Sequence, residues 1–320
     1  MVSCVAIAGA LTYLALRPDG QGSEKQSGGA AASTTKLDEV LSTVAVLKRD
    51  GAFEKAQVVL RQTIAEYPSE AQPYIEYAEV LIALGRPEEA YANYQRALKE
   101  GPSSHALALA AGTAASMSGK LADAQVHLRE AQQFNLKDWK APLFLAQVQL
   151  KLNEIDEAKK NLLLCVNLNP EATIAWGTLA EIALRENKLS LAAQHIAKAR
   201  EQEPSAVLWR LIEARVLKRD NKPREAADLL LALEPVERLE SGVLQTLAEC
   251  YGLLQQPRDA ALAYASSSDA QPARGDVALE AARWFNRASE PAAAAKYAQR
   301  AADAGEAGAA DFLLSLDSTK

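Results

Sequence analysis

Alanine returns every 34 residues along this chain, eight times without an insertion: Ala56, Ala90, Ala124, Ala158, Ala192, Ala226, Ala260 and Ala294. A strict period of this length means that one small supersecondary unit is stacked on copies of itself. Other columns keep the phase. Twelve residues before each alanine stand Val44, Ala78, Gly112, Ala146, Ala180, Ala214, Ala248 and Ala282, all small or β-branched. Five before stand Gly51, Gly85, Gly119, Asn153, Asn187, Asn221, Gln255 and Ser289. Glycine and asparagine tolerate the left-handed backbone that ends a helix. Four after stand Leu60, Tyr94, Leu128, Leu162, Ile196, Leu230, Tyr264 and Ala298, apolar or aromatic throughout. Pro68, Pro102, Pro170, Pro204 and Pro272 close five units, with Leu136, Arg238 and Glu306 in the other three.

The columns describe a helix, a tight turn and a second helix. Small residues sit where the two helices cross, because a larger side chain would force them apart. Pro87, Pro223, Pro257 and Pro291 come two residues after the turn, at the start of a second helix, where proline is tolerated. No such unit buries its own apolar face, so neighbours must stack. This pattern resembles the tetratricopeptide repeat. The resemblance implies an all-α fold, a right-handed α-solenoid superhelix of eight helix-turn-helix units at 37–70, 71–104, 105–138, 139–172, 173–206, 207–240, 241–274 and 275–308, or 272 of 320 residues. Pro235 comes three residues early in the sixth unit, which predicts a short second helix there and a bend in the array. The eighth unit, PAAAAKYAQRAADAGEAG, lacks packing volume and is expected to fray. Residues 309–320 read as a partial capping helix.

Residues 1–16 form a hydrophobic segment. Between Val2 and Leu16 there is no charge, and only Ser3, Thr12 and Tyr13 are polar. As a helix this run covers about 22 Å against about 30 Å of bilayer hydrocarbon. It reads as a membrane anchor, a cleaved signal or a loosely docked N-terminus. Cys4 lies before the apolar run, which argues against a lipoprotein site. Residues 17–36, rich in Gly, Ser and Gln, read as a flexible linker. Arg17, Lys25, Lys36, Lys48 and Arg49 follow the apolar run, which favours a cytoplasmic repeat region. Similar anchored repeat proteins of bacterial envelopes face outward, so a periplasmic side stays open. By that resemblance a bacterial, membrane-associated protein is expected.

Catalytic chemistry finds no foothold. His127 and His195 share a column two units apart, too far for a common metal. His105 follows Ser103 and Ser104, where helix capping is the expected role of serine. Cys165 and Cys250 fall in columns of small packing residues, and with three cysteines there is no disulfide framework. Acid pairs such as Glu88–Glu89 and Asp156–Glu157 open second helices and complement the dipole. No catalytic residue, cofactor or metal site is expected. A net charge of −6 argues against nucleic acid as a partner.

In the family the first helices line the concave face. One outward column reads Arg49, Ala83, Met117, Lys151, Arg185, Arg219, Leu253 and Arg287, and a second, four residues earlier, includes Glu181, Arg215, Glu249 and Arg283. A third reads Leu41, Ile75, Leu109, Leu143, Gly177, Leu211, Gln245 and Leu279, is mostly aliphatic, and is expected to form an apolar strip. The groove contacts expected are Lys151, Arg185, Arg215, Arg219, Arg283, Arg287, Leu109 and Leu143, receiving a peptide or partner protein that carries acids. Helix C-termini also prefer cations, which accounts for the same column without a ligand. No asparagine occupies the second column, so a chaperone-type clamp on a chain-terminal carboxylate is not supported. The expected function is a protein–protein scaffold or adaptor. The alternative is a non-catalytic accessory subunit of a membrane-associated enzyme, secretion or assembly complex.

Overall fold

The computed structural model describes residues 33–317. Among them there are α-helices, one 3-10 turn and no strand. They pack as two compact bodies, one ending at Pro170 and the other beginning at Glu171. The first body holds α1 (Ser33–Arg49), α2 (Phe53–Glu66), α3 (Ala71–Ala83), α4 (Pro87–Glu100), α5 (His105–Met117), α6 (Leu121–Phe134), α7 (Lys140–Lys151) and α8 (Ile155–Leu168). The second holds α9 (Thr173–Arg185), α10 (Leu189–Gln202), α11 (Val207–Arg219), α12 (Pro223–Leu231), α13 (Ser241–Leu253), α14 (Pro257–Ala270), α15 (Gly275–Arg287), α16 (Pro291–Asp303) and α17 (Ala309–Asp317). Odd-numbered helices up to α15 are first helices of a hairpin and even-numbered ones are second helices. In each body consecutive helices pack as neighbours, the stacking that makes an all-α solenoid.

The turn column explains why each hairpin closes. All eight of its residues lie at positive φ, from 58° at Asn187 to 78° at Gly119. The left-handed residue lets the next amide reach back five positions. Ala52 N–H donates to Leu47 O at 2.8 Å, Arg86 N–H to Leu81 O at 2.8 Å and Glu154 N–H to Gln149 O at 2.8 Å. These bonds satisfy carbonyls that a helix end leaves open. Proline then opens α4, α12, α14 and α16, where its missing N–H costs nothing.

The alanine columns are the crossing points. All eight alanines of the leading column are 0% exposed, and so are Val44, Ala78, Ala146, Ala180, Ala214, Ala248 and Ala282 in the second. Larger side chains fill the space around them, with Leu60, Leu128 and Leu162 fully buried and Ile196 nearly so.

Two irregular places differ from their neighbours. The helix α12 stops at Leu231 after nine residues, and a 3-10 turn, Glu237–Leu239, carries the chain to α13. Pro235 is the cause, since it offers no N–H and turns the residue before it away from helical geometry. The last hairpin, whose second helix is expected to lack packing volume, is helical to Asp303. α16 runs from Pro291 to Asp303 and buries Ala294, Tyr297, Ala298 and Ala301. The Tyr297 ring stacks on Phe285 with centroids 5.5 Å apart, and Leu316 of α17 joins the same core. One aromatic ring restores the volume that the alanines lack.

The helix α1 starts at Ser33, inside the segment expected to be linker. Among the described residues no helix is long and apolar enough to cross a membrane. The hydrophobic segment 1–16, Cys4 and residues 17–32 lie outside the described residues.

Candidate functional site

The titratable groups that might carry chemistry have structural partners. Ser104 caps α5 by accepting from Leu107 N–H at 3.2 Å. His105 sits beside it, with Nδ1 3.0 Å from Ala131 O and Nε2 3.3 Å from Asp138. His127 packs edge-on against Tyr91, and His195 lies tilted at 32° against Trp176, where burial lowers its pKa. Cys165 and Cys250 are fully buried, and burial pushes their thiols up to about 12 and about 11. Among the described residues no three His, Cys, Asp or Glu side chains could hold a metal ion.

The first-helix face is organised differently. Every member of the leading outward column, from Arg49 to Arg287, is exposed. In the second body α9, α11 and α13 lie side by side. Between them opens a recess of about 310 Å³, and Arg185, Arg215, Lys218 and Arg219 reach into it. Gln245, Thr246 and Glu249 of α13 form the opposite wall. The recess thus gathers Arg185, Arg215 and Arg219 of the expected contacts.

These cations are already engaged with the scaffold. Arg219 Nη1 donates to Leu184 O at 2.6 Å, so it caps the C-terminal end of the neighbouring first helix. This is the dipole role, played across helices rather than within one. Arg215 lies 3.9 Å from Glu181, which is 6% exposed. Lys218 pairs with Glu249 across α11 and α13. Arg215 and Lys218 are thus held by carboxylates and Arg219 by a carbonyl.

The remaining expected contacts are not part of this recess. Lys151, at the end of α7 in the first body, donates to Ser116 Oγ at 3.4 Å, and partial burial lowers its pKa. Arg283 bonds to Glu280 on its own helix at 2.6 Å, and Arg287 lies over the Trp284 ring at 4.5 Å. The apolar strip needs correction. Leu143 is 3% exposed and Leu109 is partly buried against the core, while Leu211 and Leu279 are buried too. The reason is visible at Leu211, whose Cδ2 would lie 3.1 Å from a Cβ built on Gly242 of the next first helix. The leucines of the third column face the adjoining helix and hold the stack together, whereas Gln245, in the same column, lines the recess.

Sequence reasoning missed the Lys218–Glu249 pair. A signal existed: Lys48 and Glu79, at the same spacing of 31, are paired in the first body. A cation near the end of one first helix meets an acid on the next.

Two stretches, residues 47–112 and 143–171, match models of the tetratricopeptide repeat. Human tetratricopeptide repeat protein 7B is 26% identical over 174 residues, 54% of this chain and 20% of that protein. The chain thus spans about a fifth of the length of that curated relative. Among solved structures, a tetratricopeptide repeat protein from Parabacteroides merdae superposes with a TM-score of 0.60 at 18% identity, covering 77% of this chain and 98% of that one. Pseudomonas aeruginosa PilF gives 0.56 at 21% identity, covering 68% and 96%. Yeast Tom70 gives 0.53 at 15% identity, covering 99% and 69%. At these identities the likeness is one of fold. With the 34-residue columns, the left-handed turns and the buried alanine crossings already in place, the chain is a tetratricopeptide repeat protein.

Proposed function

We propose that this chain is a non-enzymatic protein-binding scaffold that receives an acid-bearing segment of a partner protein on its first-helix face. The observation that carries the reading is the recess between α9, α11 and α13, where four cations converge in a chain whose net charge is −6. Side chains held on rigid helices present a fixed pattern to an extended or helical ligand. The outward column from Arg49 to Arg287, exposed throughout, extends the same face along each body. Lys151, Arg283 and Arg287 supply further rim charge, acting on association rate more than on residence.

Selection of a random peptide library on the full chain tests this reading. Enriched peptides are expected to be rich in Asp and Glu, and Arg185→Glu is expected to abolish that bias. Enrichment without acidic bias, unchanged by Arg185→Glu, would overturn it.

The uncharged run between Val2 and Leu16 supports a second element, tethering of the scaffold to a membrane. Membrane fractionation with protease accessibility checks it. Sedimentation with membranes that is lost on deleting residues 1–32 is the expected result. Full recovery of the intact chain in the supernatant would remove the tether.

A further inference from the structure

The two bodies contain the same Lys–Glu contact five repeats apart, and its surroundings differ in a way that defines a ligand. In the first body Lys48 is gripped by Glu76 at 2.6 Å and by Glu79. Burial lowers the Lys48 pKa, but the two carboxylates outweigh it and the net shift is upward. Lys48 and Arg49 against Glu76 and Glu79 leave no charge over. In the second body the position of Glu76 is taken by Thr246 and that of Ala45 by Arg215. Lys218 keeps one carboxylate partner, Glu249, whose side chain is 45% exposed at the mouth of the recess. At the same five positions Arg215, Lys218 and Arg219 against Glu249 leave a surplus of two positive charges beside a recess of about 310 Å³. One position has lost an acid and another has gained an arginine, so the first body's site is neutral and the second body's is not.

We infer that this recess binds a doubly charged anionic group on the partner protein, and that Glu249 is its built-in competitor, holding Lys218 until the ligand arrives. The inference rests on the binding reading above and names the group bound. A surplus of two charges matches a phosphorylated side chain or two adjacent carboxylates. Glu181 differs from Glu249 in being buried behind Arg215, so it fixes that guanidinium and is not displaced. Thr246 and Gln245 also line the recess but spend their donors internally, Thr246 on Gly242 O at 2.8 Å and Gln245 on Ser241 Oγ at 2.8 Å, so the cations alone contact the anion.

The test is a titration of the full chain, followed by NMR at the arginine Nε–Hε groups. The probes are N-acetyl-phosphoserine amide, N-acetyl-Glu-Glu amide and N-acetyl-serine amide, at constant ionic strength. Saturable shifts at Arg185 and Arg219 are expected with one or both doubly charged probes and none with the neutral one. Which charged probe binds more tightly identifies the source of the dianion. Removing the competitor with Glu249→Gln is expected to tighten binding on the order of threefold, and Arg185→Gln to weaken it by a similar factor. Both residues are solvent-facing, so thermal melts of the two variants should match the parent chain. Equal, unsaturable shifts with all probes would overturn the site, and weaker or unchanged binding in Glu249→Gln would overturn the role of Glu249. Either failure leaves the peptide selection free to succeed, so the scaffold reading is judged separately.

Discussion

At the scale of single residues, the repeat is written in small side chains and in backbone signs. Ala158 is 0% exposed where two helices cross, so Ala158→Leu is expected to cost about 1–3 kcal/mol through overpacking, read as a lowered melting temperature. An unchanged melt would mean that the crossing lies elsewhere. Ser289 holds a φ of 60° that an L residue adopts at a cost, so Ser289→Gly is expected to stabilise by about 1 kcal/mol. The buried thiols of Cys165 and Cys250, pushed up to about 12 and about 11, should resist iodoacetamide at pH 8 until the chain unfolds. A Cys4→Ser background isolates those two in a mass-spectrometric assay. These properties were legible in the sequence because a column repeated eight times averages out the ambiguity of any one position. The burial of Leu143 was not. An aliphatic residue facing a groove and one facing a neighbouring helix look alike until the packing of adjacent first helices is known.

At the scale of elements, a contact between two helices decides what each residue tolerates. Gly177 of α9 has no Cβ because the Trp209 ring of α11 occupies that place, and an added Cβ would fall 2.1 Å from Cζ3. The indole is buried and anchored by Nε1 donating to Glu203 at 2.8 Å, so it cannot slide aside freely. Gly177→Ala is expected to cost about 1–3 kcal/mol and to shift tryptophan emission to longer wavelength. The contact between α14 and α16 depends on pH. Burial alone would raise the Asp269 pKa, but Arg300 and the Tyr297 hydroxyl outweigh it and hold the carboxyl below its ordinary value. A lowered folded pKa means that the pair stabilises above the unfolded value and that its contribution is lost as pH falls through the folded one. Melting temperature should therefore fall more steeply below about pH 4 in the parent chain than in Asp269→Asn. The short α12 was readable from Pro235, since proline acts locally. The intact α16 was not, since it depends on a ring stacking across to Phe285.

At the scale of the whole molecule, the first-helix face carries the functional account, and its charges are organised across hairpins, at spacings of 31 and 35 residues. Composition gave only the net charge of the chain, and the outward columns gave the candidates Arg185, Arg215 and Arg219. Their convergence on one recess with Lys218 and Glu249 required the side-by-side packing of α9, α11 and α13. A chain beginning at Ser33 is expected to keep the melting temperature of the full chain, because it retains every helix of the described residues. Loss of helicity on that truncation would show that the preceding segment docks on the repeats. Because rim charges act through a screened field, binding of an acidic partner should weaken as salt rises. The most direct test of the central claim is the affinity of one library-selected peptide for three forms of the full chain, measured by fluorescence anisotropy. The parent chain is compared with Arg185→Glu and with a Lys159→Glu, Lys160→Glu control on the second helix α8. The account predicts a loss on the order of tenfold for Arg185→Glu and a much smaller loss for the control, with helicity unchanged in both. Equal losses would replace the site with a general field, and no loss in either would leave Arg185 as nothing more than a helix-end cation.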